Sequence, residues 1–153
     1  MAQRIGELLV KNHLITEAQL EQALQEQTQN GDFLGEILIR LGFVTEADLL
    51  KSLAEQFNTR YVSLEQVRIN PIVLKMVPKD LVWEYKFMPI ETRSSILLIA
   101  VSNPLDMWPM SVLKERLDLS EVQIVLAQKD DILKAIFKYY GLDLGGGSDG
   151  GKN

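Results

Sequence analysis

Residues 4–27 read RIGELLVKNHLITEAQLEQALQEQ and residues 33–56 read FLGEILIRLGFVTEADLLKSLAEQ, with the spacer TQNGD at 28–32 between them. Laid over one another at a shift of 29, ten of the 24 aligned pairs are identical: Gly6/Gly35, Glu7/Glu36, Leu9/Leu38, Thr16/Thr45, Glu17/Glu46, Ala18/Ala47, Leu20/Leu49, Leu24/Leu53, Glu26/Glu55 and Gln27/Gln56. Ile5/Leu34, Val10/Ile39 and Ile15/Val44 exchange one aliphatic for another. A gap-free match of this density marks a duplicated structural unit.

Each copy reads as two short helices. Ile5, Leu8 and Leu9, and their counterparts Leu34, Ile37 and Leu38, recur at the i, i+3, i+4 spacing of one apolar helical stripe. Thr16 and Thr45 then stand as N-caps, Thr16 with Gln19 as a capping box and Thr45 with Asp48 as a shorter-armed version. After the caps, Leu20, Ala23, Leu24 and Gln27 share one face, as do Leu49, Ser52, Leu53 and Gln56. Gly31 and Gly42 are natural helix stops. Four short helices forming a two-fold-like pair of hairpins are expected.

Composition shifts after Asn58. RYVSL at 60–64 is an extended lead-in, Pro71 and Pro78 bracket a short helix at 71–77, and Lys79–Tyr85 adds another turn or two. FMPIETRSSILLIAVSNP has the pattern of a hairpin: an apolar run at 87–90, a turn around 91–95 and a buried strand at 96–101. Asn103-Pro104 ends it. Helix is expected at Ser111–Leu117, strand at Val122–Ala127, and a last amphipathic helix at Asp130–Tyr140 with Asp130-Asp131 as its N-terminal cap. The expected class is therefore α+β: a four-helix duplicated hairpin subdomain at 1–59 packed on a small α/β sandwich subdomain at 60–141. Residues 142–153, ending GGGSDGGKN, carry no apolar anchor after Leu144 and read as a tail or linker.

Composition narrows the chemistry. With 153 residues, 46% hydrophobic and 24% charged, the chain is an ordinary globular protein in make-up. It has no cysteine and one histidine, His13, which excludes disulfides, thiolate metal sites and His-His metal pairs. A net charge of −5 argues against a general nucleic-acid binder. No apolar run approaches the roughly 20 residues of a membrane span, and the N-terminus lacks a signal-peptide pattern. Gly146–Asn153 spells G-x-x-x-x-G-K-N, a near-miss to a phosphate loop that lacks the Ser or Thr, the leading strand and the following helix. No metal is expected and no nucleophile–base pair is visible. The expectation is a cytoplasmic, non-catalytic domain with no direct membrane insertion and no nucleic-acid partner.

The paired units and fixed spacer resemble the N-terminal domain of type II secretion and type IV pilus assembly ATPases, the MshE-N-type or general secretory pathway E N-terminal domain. The first copy carries that pattern at Arg4, Ile5, Gly6, Leu9, Leu20, Leu24 and Gln27. The second carries it at Leu34, Gly35, Leu38, Gly42, Leu49, Leu53 and Gln56. YKFMPI at 85–90, AVSNPLD at 100–106 and DDILKAIFKYYG at 130–141 extend the likeness to residues 4–141. Two positions depart: His13 stands at the second glycine of the first copy, and Phe33 where a basic or polar residue often opens the second.

The resemblance implies cyclic di-GMP as ligand, a two-fold symmetric molecule that two like half-sites suit. It implies contacts from the residues just named, with Phe33 stacking on a base and with Lys86 and Asp106 flanking. Glycines would let the ligand approach the backbone, leucines would offer apolar faces to guanine, and glutamines would both donate to and accept from its edge. Arg4 would stack on a guanine or pair with a phosphate. The same leucines serve equally as core, the glycines as close-packing residues and Arg4 as a solvated side chain. Implied partners are a secretion or pilus ATPase motor domain and an inner-membrane platform protein. The alternative is a docking module that attaches to that platform protein without nucleotide.

Overall fold

The computed structural model describes residues 5–104 and 108–141. Contacts divide the chain into two compact units that meet between Arg60 and Tyr61.

The first unit holds four helices: α1 (Ile5–Lys11), α2 (Glu17–Asn30), α3 (Leu34–Arg40) and α4 (Glu46–Gln56). Local chemistry sets their ends. The Thr16 hydroxyl accepts from the Gln19 backbone N–H at 3.1 Å, and the Gln19 side chain accepts from the Thr16 N–H at 2.9 Å, closing the capping box. Thr45 accepts likewise from the Asp48 N–H at 3.1 Å. Gly31 ends α2 in the left-handed region, φ 75°, its N–H on the Gln27 carbonyl at 2.8 Å.

The departure at His13 keeps the backbone of the motif. His13 takes φ 63° where Gly42 takes 80°. Both corners close with the same bonds: His13 to Val10 and Leu14 to Leu9, against Gly42 to Ile39 and Phe43 to Leu38, all between 2.9 and 3.0 Å. A side chain with a Cβ is strained there, though histidine enters this region more readily than most. His13→Gly is therefore expected to raise stability by up to about 1 kcal/mol in thermal or urea melts, less whatever glycine adds to the freedom of the unfolded chain.

The two copies pack on one another: the larger contacts run between them, α2 on α3 and α1 on α4. Helices of seven residues, as α1 and α3 are, carry too little apolar stripe to close a hairpin on their own. Interleaving lets each copy cover the other. The result is one core in which Leu9 and Leu38, and Ile15 and Val44, appear as counterparts beside Ala23, Ile37 and Leu49. Polar straps repeat the symmetry. Glu55 accepts from the Asn12 side chain at 3.2 Å, and its counterpart Glu26 meets Arg40 at 3.5 Å, each joining the second helix of one copy to the first-helix end of the other.

The second unit begins with Tyr61, bridged in parallel to Leu126, and a 3-10 turn at Leu64–Gln66 that the sequence reading did not anticipate. Helices α5 (Pro71–Met76) and α6 (Lys79–Tyr85) lead into strands β1 (Met88–Arg93) and β2 (Ile96–Val101), then α7 (Trp108–Arg116), β3 (Glu121–Leu126) and α8 (Lys129–Tyr140). The sheet runs β1-β2-β3, antiparallel then parallel. Leu97, Ile99 and Ala100 of central β2 have no exposed surface, as a strand covered on both faces requires. Pro89 sits where a strand tolerates it, on edge strand β1 beside a bulge at Ile90.

Several boundaries move. The turn is only Ser94-Ser95, with Ser94 at φ 56°, so the polar residues 91–93 are strand rather than loop. Helix α7 starts at Trp108, ahead of Ser111, because a proline at the second position needs no N–H partner. Strand β3 starts one residue earlier than expected. Asp130 and Asp131 lie in the first turn of α8 and are not its cap; Gln128 holds that position without a side-chain cap bond.

Tyr140 ties α8 to α5. Its hydroxyl donates to the Val77 carbonyl at 3.0 Å, and burial raises its ionisation well above the usual phenol range. The folded state thus favours the neutral phenol. Its contribution is complete below about pH 10, the unfolded value, and drains away as pH climbs above that. Tyr140→Phe is expected to lose about 1 kcal/mol at neutral pH and to flatten the fall of melting temperature above pH 10. Paired melts across that range check both.

Candidate functional site

The first unit gathers the repeat residues at the junction of the two copies. A Cβ placed on Gly6 of α1 would lie 2.6 Å from Leu20 Cδ1 of α2 and 3.2 Å from Leu34 Cδ2 of α3. Three helices from both copies therefore converge on that glycine. In the second copy a Cβ on Gly35 would lie 2.7 Å from Leu49 Cδ2, the same glycine–leucine contact. The space each glycine leaves is filled by a leucine of its own copy. These glycines permit close helix packing on their Cα faces.

The remaining repeat residues sort by depth. Leu9 and Leu38 have no exposed surface, so they can only support a site from beneath. Leu49 is buried, while Ile5, Leu20, Leu34 and Leu53 are partly covered by the core they pack against. Leu24 and Phe33 are open, Phe33 with 59% of its surface exposed. Gln56 is partly buried at the end of α4.

Gln27 is fixed by the spacer. Its side-chain amide donates to the Asp32 carbonyl at 3.0 Å, which holds it beside Phe33, the next residue along. Asp32 is in turn gripped by Arg40, Nη1 to carboxylate at 3.1 Å, while Arg40 Nη2 reaches Glu26 at 3.5 Å. Arg40 was missed in the sequence because it lies outside the repeated identities. Its one signal is a cationic counterpart, Lys11, at the same place in the first copy.

Three other candidates remain. Lys86 belongs to the second unit, where it ends α6 in the left-handed region at φ 57°. Its ammonium donates to the Trp83 carbonyl and stands 5.6 Å from the centre of the Trp83 ring. Arg4 and Asp106, like the 142–153 segment with its near-miss phosphate loop, lie outside the described residues.

An open cleft of about 390 Å³ runs along α1 and α2, lined by Glu7, Val10, Lys11, Glu17, Leu20, Glu21 and Leu24. Three carboxylates face one ammonium. Such a lining offers apolar contact to a ring while its field opposes a phosphate. Among the described residues no group of three His, Asp or Glu side chains is placed to hold a metal ion, and no helix is long and apolar enough to cross a membrane.

The comparisons with known proteins bear on the whole chain. The MshEN domain family matches residues 57–146, more than half the chain, beginning directly after the second repeat. The type IV pilus assembly ATPase PilB of Myxococcus xanthus is 31% identical over 140 residues, 92% of this chain. The chain spans 25% of that relative's length. Among solved structures, MshE with cdg superposes with a TM-score of 0.82 at 31% identity, covering 90% of this chain and 99% of that one. The N-terminal domain of XpsE shares the fold with a TM-score of 0.69 at 22% identity, over 92% of this chain and all of that domain. The relatives' alignments take in the repeats that the family match leaves out. A four-helix unit followed by a unit with a small three-stranded mixed sheet, α+β in class, is thus the architecture shared with these solved structures, and the chain belongs to the MshEN domain family.

Proposed function

We propose that this chain is the regulatory N-terminal domain of a pilus or secretion ATPase and that it binds cyclic di-GMP across its two repeats. The observation that carries the reading is the likeness to MshE, solved with cdg, over nine-tenths of this chain. The interleaved copies support it, because two like helical units on one shared core suit a ligand made of two equivalent halves. The leucines of the rim, Leu20 and Leu24, would take the guanine faces, and Gln27 would address a base edge from its place beside Phe33. The role is binding, with no catalytic step on this chain.

Charge sets how that binding should behave. Residues 1–60 hold nine acidic and five basic side chains, and the cleft follows the same balance. Affinity must come from stacking and hydrogen bonds rather than from phosphate attraction. In titration calorimetry, wild type is expected to bind cyclic di-GMP with a dissociation constant near or below ~10 μM. That affinity should hold steady or rise a few-fold between 50 and 200 mM salt, since salt screens a repulsion. A tenfold fall would place the phosphates on a basic surface and contradict the assignment. No heat at several hundred micromolar ligand, on the order of 5 kcal/mol of binding free energy or less, would remove the sensor reading altogether.

The docking alternative draws on the second unit, where Ile72 and Phe137 leave 60% and 53% of their surfaces exposed. Capture of a platform protein's cytoplasmic part, abolished by charged substitutions at these two positions and indifferent to cyclic di-GMP, would favour it.

A further inference from the structure

We infer that a polar pocket between α4 and the α1–α2 corner receives the guanidinium group of an arginine presented by a partner protein. The pocket holds about 200 Å³ and is lined by Asn12, Leu14, Asp48, Lys51, Ser52 and Glu55. It shares no residue with the cleft along α1 and α2, so the inference is independent of the nucleotide reading. Ser52 carries it. Only 2% of that residue is exposed, and its hydroxyl has no hydrogen-bond partner among the described residues. A sealed hydroxyl left unpaired costs stability, and one that lines a pocket stands ready for a partner from outside the chain. Its counterpart in the first copy is Ala23, fully buried in the shared core, and Asn12 and Asp48 likewise stand where the repeat has Leu41 and Gln19. The repeat symmetry breaks toward polarity at this corner.

The lining is rich in acceptors. Asp48, Ser52 and Glu55 recur at i, i+4, i+7 along one face of α4. Asn12 meets them from the corner, its amide nitrogen donating to Glu55 at 3.2 Å, which leaves its amide oxygen as an acceptor. The Asp48 carboxylate enters no ion pair among the described residues. Two carboxylates against one ammonium, that of Lys51, leave the lining with a net negative charge. A guanidinium answers that set: it is a planar cation with five N–H donors in a fixed fork, able to reach carboxylate, hydroxyl and amide oxygens together. Leu14 gives its apolar stem a surface to lie on. A lysine ammonium presents three donors from a single point and satisfies fewer of these acceptors. A metal ion is poorly served, since among the described residues no three Asp, Glu or His side chains are placed to hold one.

The test titrates the full chain with Nα-acetyl-arginine amide, Nα-acetyl-lysine amide and magnesium chloride at fixed ionic strength, followed by backbone amide shifts in nuclear magnetic resonance spectra. The arginine probe is expected to move Asn12, Asp48 and Ser52 with a dissociation constant on the order of 1 mM, at least about threefold tighter than the lysine probe. Ser52→Ala should weaken it about threefold or more while melting holds or rises, because the variant removes an unpaired hydroxyl. Asp48→Asn, which keeps the backbone N–H that Thr45 caps, should weaken it about fivefold or more. Either variant binding as wild type does, equal binding of the lysine probe, magnesium moving the same amides at the same concentration, or shifts confined to the α1–α2 cleft overturns the inference.

Discussion

Leu38→Ala is expected to destabilise the helical unit by about 2–5 kcal/mol, the range for emptying a sealed aliphatic site. Leu38 has no exposed surface and sits in the core that both copies build. A domain this small holds only about 5–15 kcal/mol in total, so the loss approaches what the unit can bear. Leu9→Ala, its counterpart, should cost a similar amount, because the two leucines line one core rather than two. Urea titration followed by far-ultraviolet circular dichroism measures both. A cost under about 1 kcal/mol at either position would mean that the copies do not share their interior.

Leu24→Glu should do the opposite: leave melting nearly unchanged and remove binding of cyclic di-GMP by at least about thirtyfold. Leu24 is 38% exposed and lines the cleft beside Glu21 and Leu20. A glutamate on an open helical face costs little, as surface substitutions usually stay within about 0.5 kcal/mol. Where a dianionic ligand lies, the same carboxylate adds like-charge repulsion to the lost apolar contact, on the order of 2 kcal/mol together. Calorimetry and thermal melts on one preparation separate the effects. A variant that melts early but binds normally when folded would make Leu24 a core residue and move the ligand elsewhere.

These two leucines show where the sequence stops being informative. Both recur in each copy at helical spacing, and spacing says only that a face is covered. Leu38 proves to be sealed inside while Leu24 stands at the rim, a difference of depth that one-dimensional periodicity does not contain. The glycines are a second case. The sequence repeats Gly6 and Gly35 without saying what packs on them, and the fold brings Leu20 and Leu49 against their Cα faces. Lys86 is a third: its ammonium is engaged with Trp83, three residues back, and its segment gave no hint of that.

The duplication, the four helices and most of their ends were legible because caps, left-handed corners and apolar stripes are written within a few residues of where they act. The strands and α7, too, announced themselves, with errors of a few residues where the short Ser94-Ser95 turn shifted a strand boundary and Pro109 the start of α7. What required three dimensions was the pairing of helices across copies, the clamp of Arg40 on the spacer, and the depth of each leucine. A local pattern can say that a surface must be covered. Only the folded chain, in which α1 finds α4 and α2 finds α3, decides what covers it, because burying apolar area is rewarded whichever neighbour supplies it.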